Sequence, residues 1–334
     1  MSPLIAVIVT FGLLFVIFAA LAAGLTVTLR SVAAPLKGRA LPTIGVLVAN
    51  FVVVPLLTWL TLQAFDFAAQ ATMAFALLSV VAGAPFVAMF TRMGRGDVAY
   101  AASISLILML LTIPFMPLVL PWMLTVLHVS HTPVTTWHLL KPLLWFLLLP
   151  LVIGLAIRWR YPNLAKELAP HFSQVALVSI ALHIVLMFVA FWSDVVAEIH
   201  TGEYLYSVLM PIGCLIVGYA GCRLFMPRAV GAAGRGIRLP AALGTAQKGS
   251  QALICSLIFA MGTYSVAGVV ALGSSVITVL ILVILSAEIG KRHDRRLHRT
   301  DRPVAEAEFV PEPRLGGPAE ERDNAPEATQ SGAV

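Results

Sequence analysis

Long apolar stretches separated by short polar segments dominate the chain. Residues 1–29 contain no charged side chain, and residues 239–286 contain a single one, Lys248. A helix of about 20 apolar residues is long enough to cross the hydrocarbon core of a bilayer. Cutting the apolar stretches at charged, glycine and proline positions predicts nine spans: 4–29, 41–64, 67–90, 98–125, 137–157, 172–194, 205–225, 239–261 and 265–288. The predicted fold is therefore an all-α polytopic membrane protein.

The composition excludes a soluble globular protein. Hydrophobic residues make up 59% of the chain and charged residues 11%, whereas a soluble domain carries roughly 25% charged residues. The first apolar stretch lacks the basic start of a signal peptide, so we interpret it as a permanent span. Cys214, Cys222 and Cys255 all fall inside predicted spans, a position that favours core packing over disulfides or a metal site.

Basic residues mark alternate loops of the predicted topology. Arginine and lysine cluster after spans one, three, five, seven and nine. The remaining loops hold a single lysine at one edge, Lys141, and four acids: Asp66, Asp194, Glu198 and Glu203. Basic loops stay on the cytoplasmic side of a membrane. We therefore predict a cell-membrane protein with its N-terminus outside the cell and its C-terminus in the cytoplasm.

The last segment differs in composition from the membrane body at residues 1–299. Residues 300–334 are rich in Pro, Glu, Ala and Gly, with eight acids against three bases. Such a segment buries too little apolar surface to fold, so we predict a disordered cytoplasmic tail. The basic excess of the body suits an anionic leaflet of the lipid bilayer, and no nucleic-acid partner is predicted.

Span eight carries a polar, glycine-rich segment near its middle. Its polar and glycine positions are Gly244, Thr245, Gln247, Lys248, Gly249, Ser250 and Gln251. This composition predicts a helix broken at Gly244 and Gly249 that offers backbone groups to a ligand, as in transporters. A small-residue helix interface would explain Gly244 and Ser250. It would not explain a lysine at this depth, which favours a functional role for Lys248.

Span three has a second predicted break, at Gly83 and Pro85, because proline removes a helical hydrogen bond. Spans two to four and seven to nine are offset by an odd number of spans, so the two triplets have opposite topology. Interrupted helices at matching positions of inverted repeats point to a binding site near the midplane.

Three further polar residues at depth are weaker candidates. Asn50, in span two, either coordinates a ligand or bonds a neighbouring helix, and the sequence leaves both open. Ser105, in span four, can bond its own backbone. His183, in span six, is interpreted as a neutral interior histidine in preference to a titrating one.

Four motifs resemble the bile acid:sodium symporter family. They are 24–29 (GLTVTL), 49–55 (ANFVVVP), 96–99 (GDVA) and 247–250 (QKGS). The resemblance extends from about residue 11 to 288. It implies inverted repeats with two crossing broken helices in a core of spans two to four and seven to nine. Spans one, five and six would form a separate panel.

The chain departs from sodium-coupled members of that family. They carry a glutamate in the broken penultimate helix, where Gly244 stands approximately here, and a Ser–Asn pair in the other broken helix, where 86–89 (FVAM) follow Pro85. Asn50 stands in place of a glutamine. A sodium ion at ~4 Å from the Lys248 ammonium would be repelled by about 4 kcal/mol at an effective dielectric of ~20.

The predicted function is alternating-access transport of a small organic anion, independent of sodium or linked to protons. Lys248 would meet the carboxylate or sulfonate, and neutral hydrogen bonds would come from Asn50, Ser105, Thr245, Gln247, Ser250 and Gln251. No cofactor or metal ligand set is predicted, and no nucleophile–base pair at depth indicates an enzyme. A sodium-coupled symporter and a non-transporting membrane sensor on the same fold remain alternatives.

Overall fold

A computed structural model describes residues 3–28, 39–83, 86–129, 135–193, 202–226, 233–259 and 266–300, with positions 33, 37 and 196. Pro85 and the predicted tail from residue 301 lie outside these residues. The helices are α1 Pro3–Thr26, α2 Ala40–Ala64, α3 Ala69–Val80, α4 Val87–Met93, α5 Val98–Val126, α6 Thr136–Arg160, α7 Pro162–Ala190, α8 Gly202–Leu224, α9 Ala233–Ala246, α10 Ser250–Phe259 and α11 Val266–Thr300.

Seven helices of the described chain are long and apolar enough to cross a membrane: α1, α2, α5, α6, α7, α8 and residues 267–293 of α11. Predicted spans three and eight are each a pair of shorter helices, α3 with α4 and α9 with α10. The prediction of an all-α polytopic membrane protein is confirmed.

The predicted start of span six was wrong. We placed it at residue 172, but α7 begins at Pro162 and ends at Ala190. Lys166 is predicted to lie in the loop after span five, but it lies with Glu167 in the exposed first turns of this helix. Charged side chains at a helix end can reach the aqueous interface, so charge alone does not mark where a membrane helix begins.

Two prolines locally widen the helices that contain them. A π-helical segment, Ala49–Val53, lies in α2 just before Pro55, and Leu143–Leu148 lies in α6 just before Pro150. A proline has no N–H to donate, so the carbonyl of the preceding turn loses its partner and the hydrogen-bond ladder shifts there. The first of these segments presents Asn50 to the neighbouring helices.

Residues 1–293 form one compact unit, which contains all of the features described below. In it, α1 packs against α6 and α7, and α8 packs against α2 and α9. The α1–α6 contact is very close, because a Cβ atom at Gly24 would overlap the carbonyl oxygen of Leu151. The packing of α1, α6 and α7 involves the three spans assigned to the panel, but the division into core and panel stays a prediction.

A polar contact joins α2, α5 and α9 at the end of the molecule predicted to face the cytoplasm. The guanidinium of Arg39 donates to Asp97 across 2.6 Å. The same carboxylate accepts from the backbone N–H of Tyr100 at 3.0 Å and so caps α5, while Asp97 N donates to the carbonyl of Gly236 at 3.0 Å. Partial burial acts to raise the pKa of Asp97, but these hydrogen bonds and the Arg39 charge outweigh it and hold the pKa below its usual 3.8.

Candidate functional site

The two helix interruptions lie directly against each other. A Cβ atom at Gly249, in the second break, would be 2.8 Å from the carbonyl oxygens of both Ala82 and Gly83, in the first. Only a residue without a side chain allows two backbones to approach so closely. The structure therefore brings together two regions that the sequence separates by more than 150 positions.

The first break depends on Gly83 and on a threonine that sequence analysis missed. Gly83 has φ +77°, a conformation that favours glycine, and a Cβ atom there would overlap the backbone of Met109 in α5. Thr112 of α5 accepts from the N–H of Ala82 at 3.0 Å and donates to the carbonyl of Leu108 at 2.9 Å. The first of these bonds satisfies the N–H of Ala82, which is freed where α3 ends. A single threonine in the middle of an apolar span does not predict this role.

The second break contains Gly249 but not Gly244, the other glycine at which a break is predicted. Gly244 lies inside α9, which ends at Ala246, and the interruption comprises residues 247–249. The N–H of Gln247 still bonds the carbonyl of Leu243 at 2.9 Å, so the helical ladder continues through Gly244. The assignment of Gly244 as a helix break was therefore wrong, whereas Gly249 lies in the interruption. A single glycine lowers helix stability by only about 1 kcal/mol, which the packing of Val87, Ile104 and Leu108 around this position can offset.

Lys248 is a buried amine in this second break. Its side chain is 8% exposed, and its Nζ has no hydrogen-bond partner among the residues that the structure describes. The same holds for Oε1 of Gln247, which is also buried. A charge left unpaired in an apolar interior costs several kcal/mol, so an ammonium here would be stabilised strongly by an anion.

Lys248 and Gln247 line a cavity of about 310 Å³. Its walls come from α4, α7 and α11 and are mostly apolar, with Phe86, Met89 and Leu177 among the lining side chains. The α10 helix begins at Ser250, immediately after this break. The positive end of its dipole adds to the preference for negative charge near Lys248.

Three hydroxyl groups line a small void beside Lys248. They belong to Ser207 of α8 and to Ser274 and Thr278 of α11. The Ser207 and Ser274 hydroxyls share a hydrogen bond of 2.7 Å, and Thr278 bonds the carbonyl of Ser274. Sequence analysis did not identify these hydroxyls, because serine and threonine in apolar helices usually bond their own backbone.

A second cavity, of about 490 Å³, adjoins the first and shares Phe86, Met89 and Leu177 with it. It lies between α1 and α7 on one side and α4 and α5 on the other. Its lining contains Gly83 from the first break and Arg92, which the sequence places near the cytoplasmic face. The two cavities together can accommodate an apolar body with an anionic end.

Asn50 makes its hydrogen bonds outside the two cavities. Asn50 donates to the carbonyl of Val46 at 3.0 Å and to the hydroxyl of Thr245 at 2.9 Å. Thr245 donates in turn to the carbonyl of Ala241 at 3.0 Å. Neither Asn50 nor Thr245 is among the lining residues of the two cavities. Of the two interpretations left open by the sequence, this geometry matches the bond to a neighbouring helix.

The other predicted residues are placed as follows. Ser105 lines the second cavity and donates to the carbonyl of Ala101 at 2.8 Å. Ser250 and Gln251 begin α10, but their side chains lie outside the description. His183 is buried against α1, with Nδ1 at 3.0 Å from the carbonyl of Ile8.

Acidic groups are scarce around the breaks. In the described part of the chain, Glu203 is the one buried carboxylate, and it lies at the start of α8. No group of three or more His, Cys, Asp or Glu side chains that could hold a metal ion occurs among those residues. A cation bound beside Lys248 would therefore rely on neutral oxygens of the residues described.

Sequence comparison gives one informative finding. Residues 10–198, more than half of the chain, match the profile of the Sodium Bile acid symporter family. The matched range ends before α8, so Lys248 lies beyond it. A comparison with individually curated proteins finds no match. The chain belongs to the sodium bile acid symporter family and is a multi-pass membrane transporter of the bile acid and organic anion type.

Proposed function

We propose that this protein transports small organic anions by alternating access and that the Lys248 ammonium binds the anionic group. The observation that carries the proposal is the burial of Lys248 Nζ beside a largely apolar cavity of about 310 Å³, with no hydrogen-bond partner in the described part of the chain. A carboxylate or sulfonate would compensate that charge, and the apolar walls would contact the rest of the solute. Gln247 would donate a hydrogen bond through its amide, while Asn50 and Thr245 would hold α9 in position.

The close contact of the two breaks supports a mechanism in which backbone groups contribute to the site. The N–H groups at the start of α10 have no partners within the helix, because the first turn of any helix leaves them free. They follow Lys248 directly, so one anionic group can interact with both the lysine and the helix end. The second cavity, which contains Arg92, would provide the path towards the cytoplasm.

Transport is proposed to be independent of sodium and linked to protons. An anion beside an amine favours its charged form, so anion binding and proton uptake promote each other wherever the amine is partly neutral. The ammonium would then replace, in electrostatic terms, the cation that sodium-coupled relatives bind. We further propose a cell-membrane location with the N-terminus outside and the tail in the cytoplasm, from the alternation of basic loops.

The test is uptake by proteoliposomes containing the purified protein, with taurocholate and a panel of small carboxylates and sulfonates as solutes. We expect uptake without sodium, and a loss of about ten-fold or more in Lys248→Met, because one member of a buried charge pair is removed. Lys141→Met is the matched control, since Lys141 is exposed on α6. Undiminished uptake by a well-folded Lys248→Met protein would rule out the proposed role.

Sodium-coupled symport is the second candidate, favoured by the description of the matching family. The same proteoliposomes distinguish the two, because a sodium gradient would then be required for accumulation and a pH gradient would have no effect. Solute binding without flux would instead indicate a membrane sensor on the same fold.

A further inference from the structure

A buried carboxylate lies at the end of the molecule predicted to face outward, in the first turn of α8. Glu203 is 7% exposed. Its Oε1 accepts from the N–H of Ala68 at 2.7 Å, which ties α8 to the segment before α3. Its Oε2 is buried and has no hydrogen-bond partner among the described residues. One of the two carboxylate oxygens therefore lacks, among the described residues, the hydrogen-bond donor or cation that a buried negative charge requires.

Glu203 lines a pocket of about 830 Å³ between the second half of α2 and the first half of α8. A second carboxylate, Asp66, lines the same pocket from the segment that follows α2. No basic side chain is among its lining residues. The pocket therefore carries negative charge only, in contrast to the cavity that contains Lys248.

Aromatic rings form another wall of this pocket. Phe65, Phe67 and Tyr206 all line it. The centroids of the Phe67 and Tyr206 rings lie 5.5 Å apart. Phe75, which does not line the pocket, packs edge-to-face with Tyr206 at a centroid distance of 4.7 Å. This packing holds Tyr206 in a fixed orientation. Aromatic faces attract organic cations, and carboxylates beside them strengthen that attraction.

The geometry points to a binding site for an organic ammonium group, with Glu203 as its counter-ion and the aromatic rings as its contact surface. A bare metal ion fits less well, because hard cations need several oxygen ligands in a small coordination shell. The pocket shares Met210 and Cys214 with the small void beside Lys248, but its charged lining residues are Glu203 and Asp66. The inference does not depend on the proposed function.

Two sources of ammonium are compatible with the pocket. The side chains of Leu57, Leu205 and Leu209 line it and are about half exposed on helices that cross the membrane, so a phospholipid with an amine headgroup could place its acyl chains there. A soluble amine could instead enter from the aqueous face. Both would present the same charged group to Glu203.

The experiment measures ligand-dependent thermal stability of the purified full-length protein in a detergent without lipid. The soluble arm adds ethanolamine or choline, with sodium chloride at equal ionic strength as reference. The lipid arm compares phosphatidylethanolamine with phosphatidylglycerol. We expect ammonium compounds in at least one arm to raise the melting temperature, whereas sodium and phosphatidylglycerol do not.

The deciding variant is Glu203→Gln, which retains an acceptor oxygen for the N–H of Ala68 but removes the charge. The apparent affinity for the ammonium compound should fall about ten-fold or more. Glu288→Gln is the matched control, because this acid is exposed on α11 and pairs with Arg292. The control should bind like the unmodified protein.

Equal stabilisation by sodium, no stabilisation by any ammonium compound, or the same affinity in Glu203→Gln would each overturn the inference. If Glu203→Gln does not purify as a folded protein, the deciding variant is Asp66→Asn. Asp66 is exposed, so we expect its replacement to leave the fold intact. That variant should bind the ammonium compound more weakly, and unchanged affinity would count against the site.

Discussion

Asn50 donates a hydrogen bond of 2.9 Å to the hydroxyl of Thr245, although the two residues are 195 positions apart in the chain. The bond joins the π-helical segment of α2 to the last full turn of α9, just before the second break. Gly218 of α8 packs against the same threonine. Asn50 thus supports the position of the break and makes no contact with the cavity beside Lys248.

This relationship predicts coupled stabilities for the two residues. Asn50→Ala and Thr245→Val should each destabilise the protein, and a double-mutant cycle should give a coupling of about 0.6–1.7 kcal/mol, as for other bonds between membrane helices. Thr245→Ser keeps the hydroxyl and serves as the control. Additive effects in reversible unfolding measurements would show that the bond does not contribute.

The contact between the breaks predicts that Gly249 cannot be replaced. Gly249→Ala places a Cβ atom 2.8 Å from two carbonyl oxygens and should separate the interruptions, which lowers both the melting temperature and transport. Gly273→Ala is the matched control, because nothing lies within 4 Å of a Cβ atom at that position in α11. The control should be neutral or slightly stabilising, since alanine favours helix. A melting temperature equal in the two variants would contradict the close approach.

The proposed proton link predicts distinct behaviour for Lys248→Arg. Arginine stays charged at every accessible pH. Uptake by this variant should therefore lose the pH dependence that the proposed proton link gives the unmodified protein, even if its rate is lower. Initial rates in proteoliposomes clamped at equal internal and external pH provide the measurement. A pH profile identical to that of the unmodified protein would exclude Lys248 as the titrating group.

The ion pair between Arg39 and Asp97 predicts a pH-dependent stability. The pKa of Asp97 is depressed in the folded protein, so its contribution is present above the unfolded value, near 3.8, and is lost as the pH falls through the lower folded value. Asp97→Asn keeps an acceptor that can cap α5 but removes the charge. The variant should melt at a lower temperature than the unmodified protein at pH 7, and this difference should shrink as the pH falls below about 4. A difference in melting temperature that is constant with pH would show that the ion pair contributes nothing.

The proposed orientation predicts which loops are accessible from outside the cell. The variant Asp66→Cys should react with an impermeant maleimide in intact cells. The variant Arg95→Cys should react only after the cells have been permeabilised. The native thiols Cys214, Cys222 and Cys255 are buried, so background labelling should be low. Labelling of Arg95→Cys in intact cells would show that the actual topology is the inverse of the proposed one.

The apolar pattern of the sequence was sufficient for the all-α membrane fold and the approximate spans. A bilayer leaves unpaired backbone groups no partner, so any apolar stretch of sufficient length must become a helix. The polar segment around Lys248 could be recognised for the same reason, because a lysine at that depth is costly. These conclusions depend on local composition alone.

Tertiary structure decided where each helix is interrupted and which polar residues meet. Gly244 remained helical because neighbouring helices pack around it, and Asn50 bonded Thr245 instead of facing the cavity. Thr112 met Ala82, and Ser207 met Ser274, through contacts between helices that no local pattern encodes. The orphaned carboxylate oxygen of Glu203 became apparent only when α8 packed beside α2. Such pairings depend on which helix faces which, and the sequence specifies that only through the packing of the complete fold.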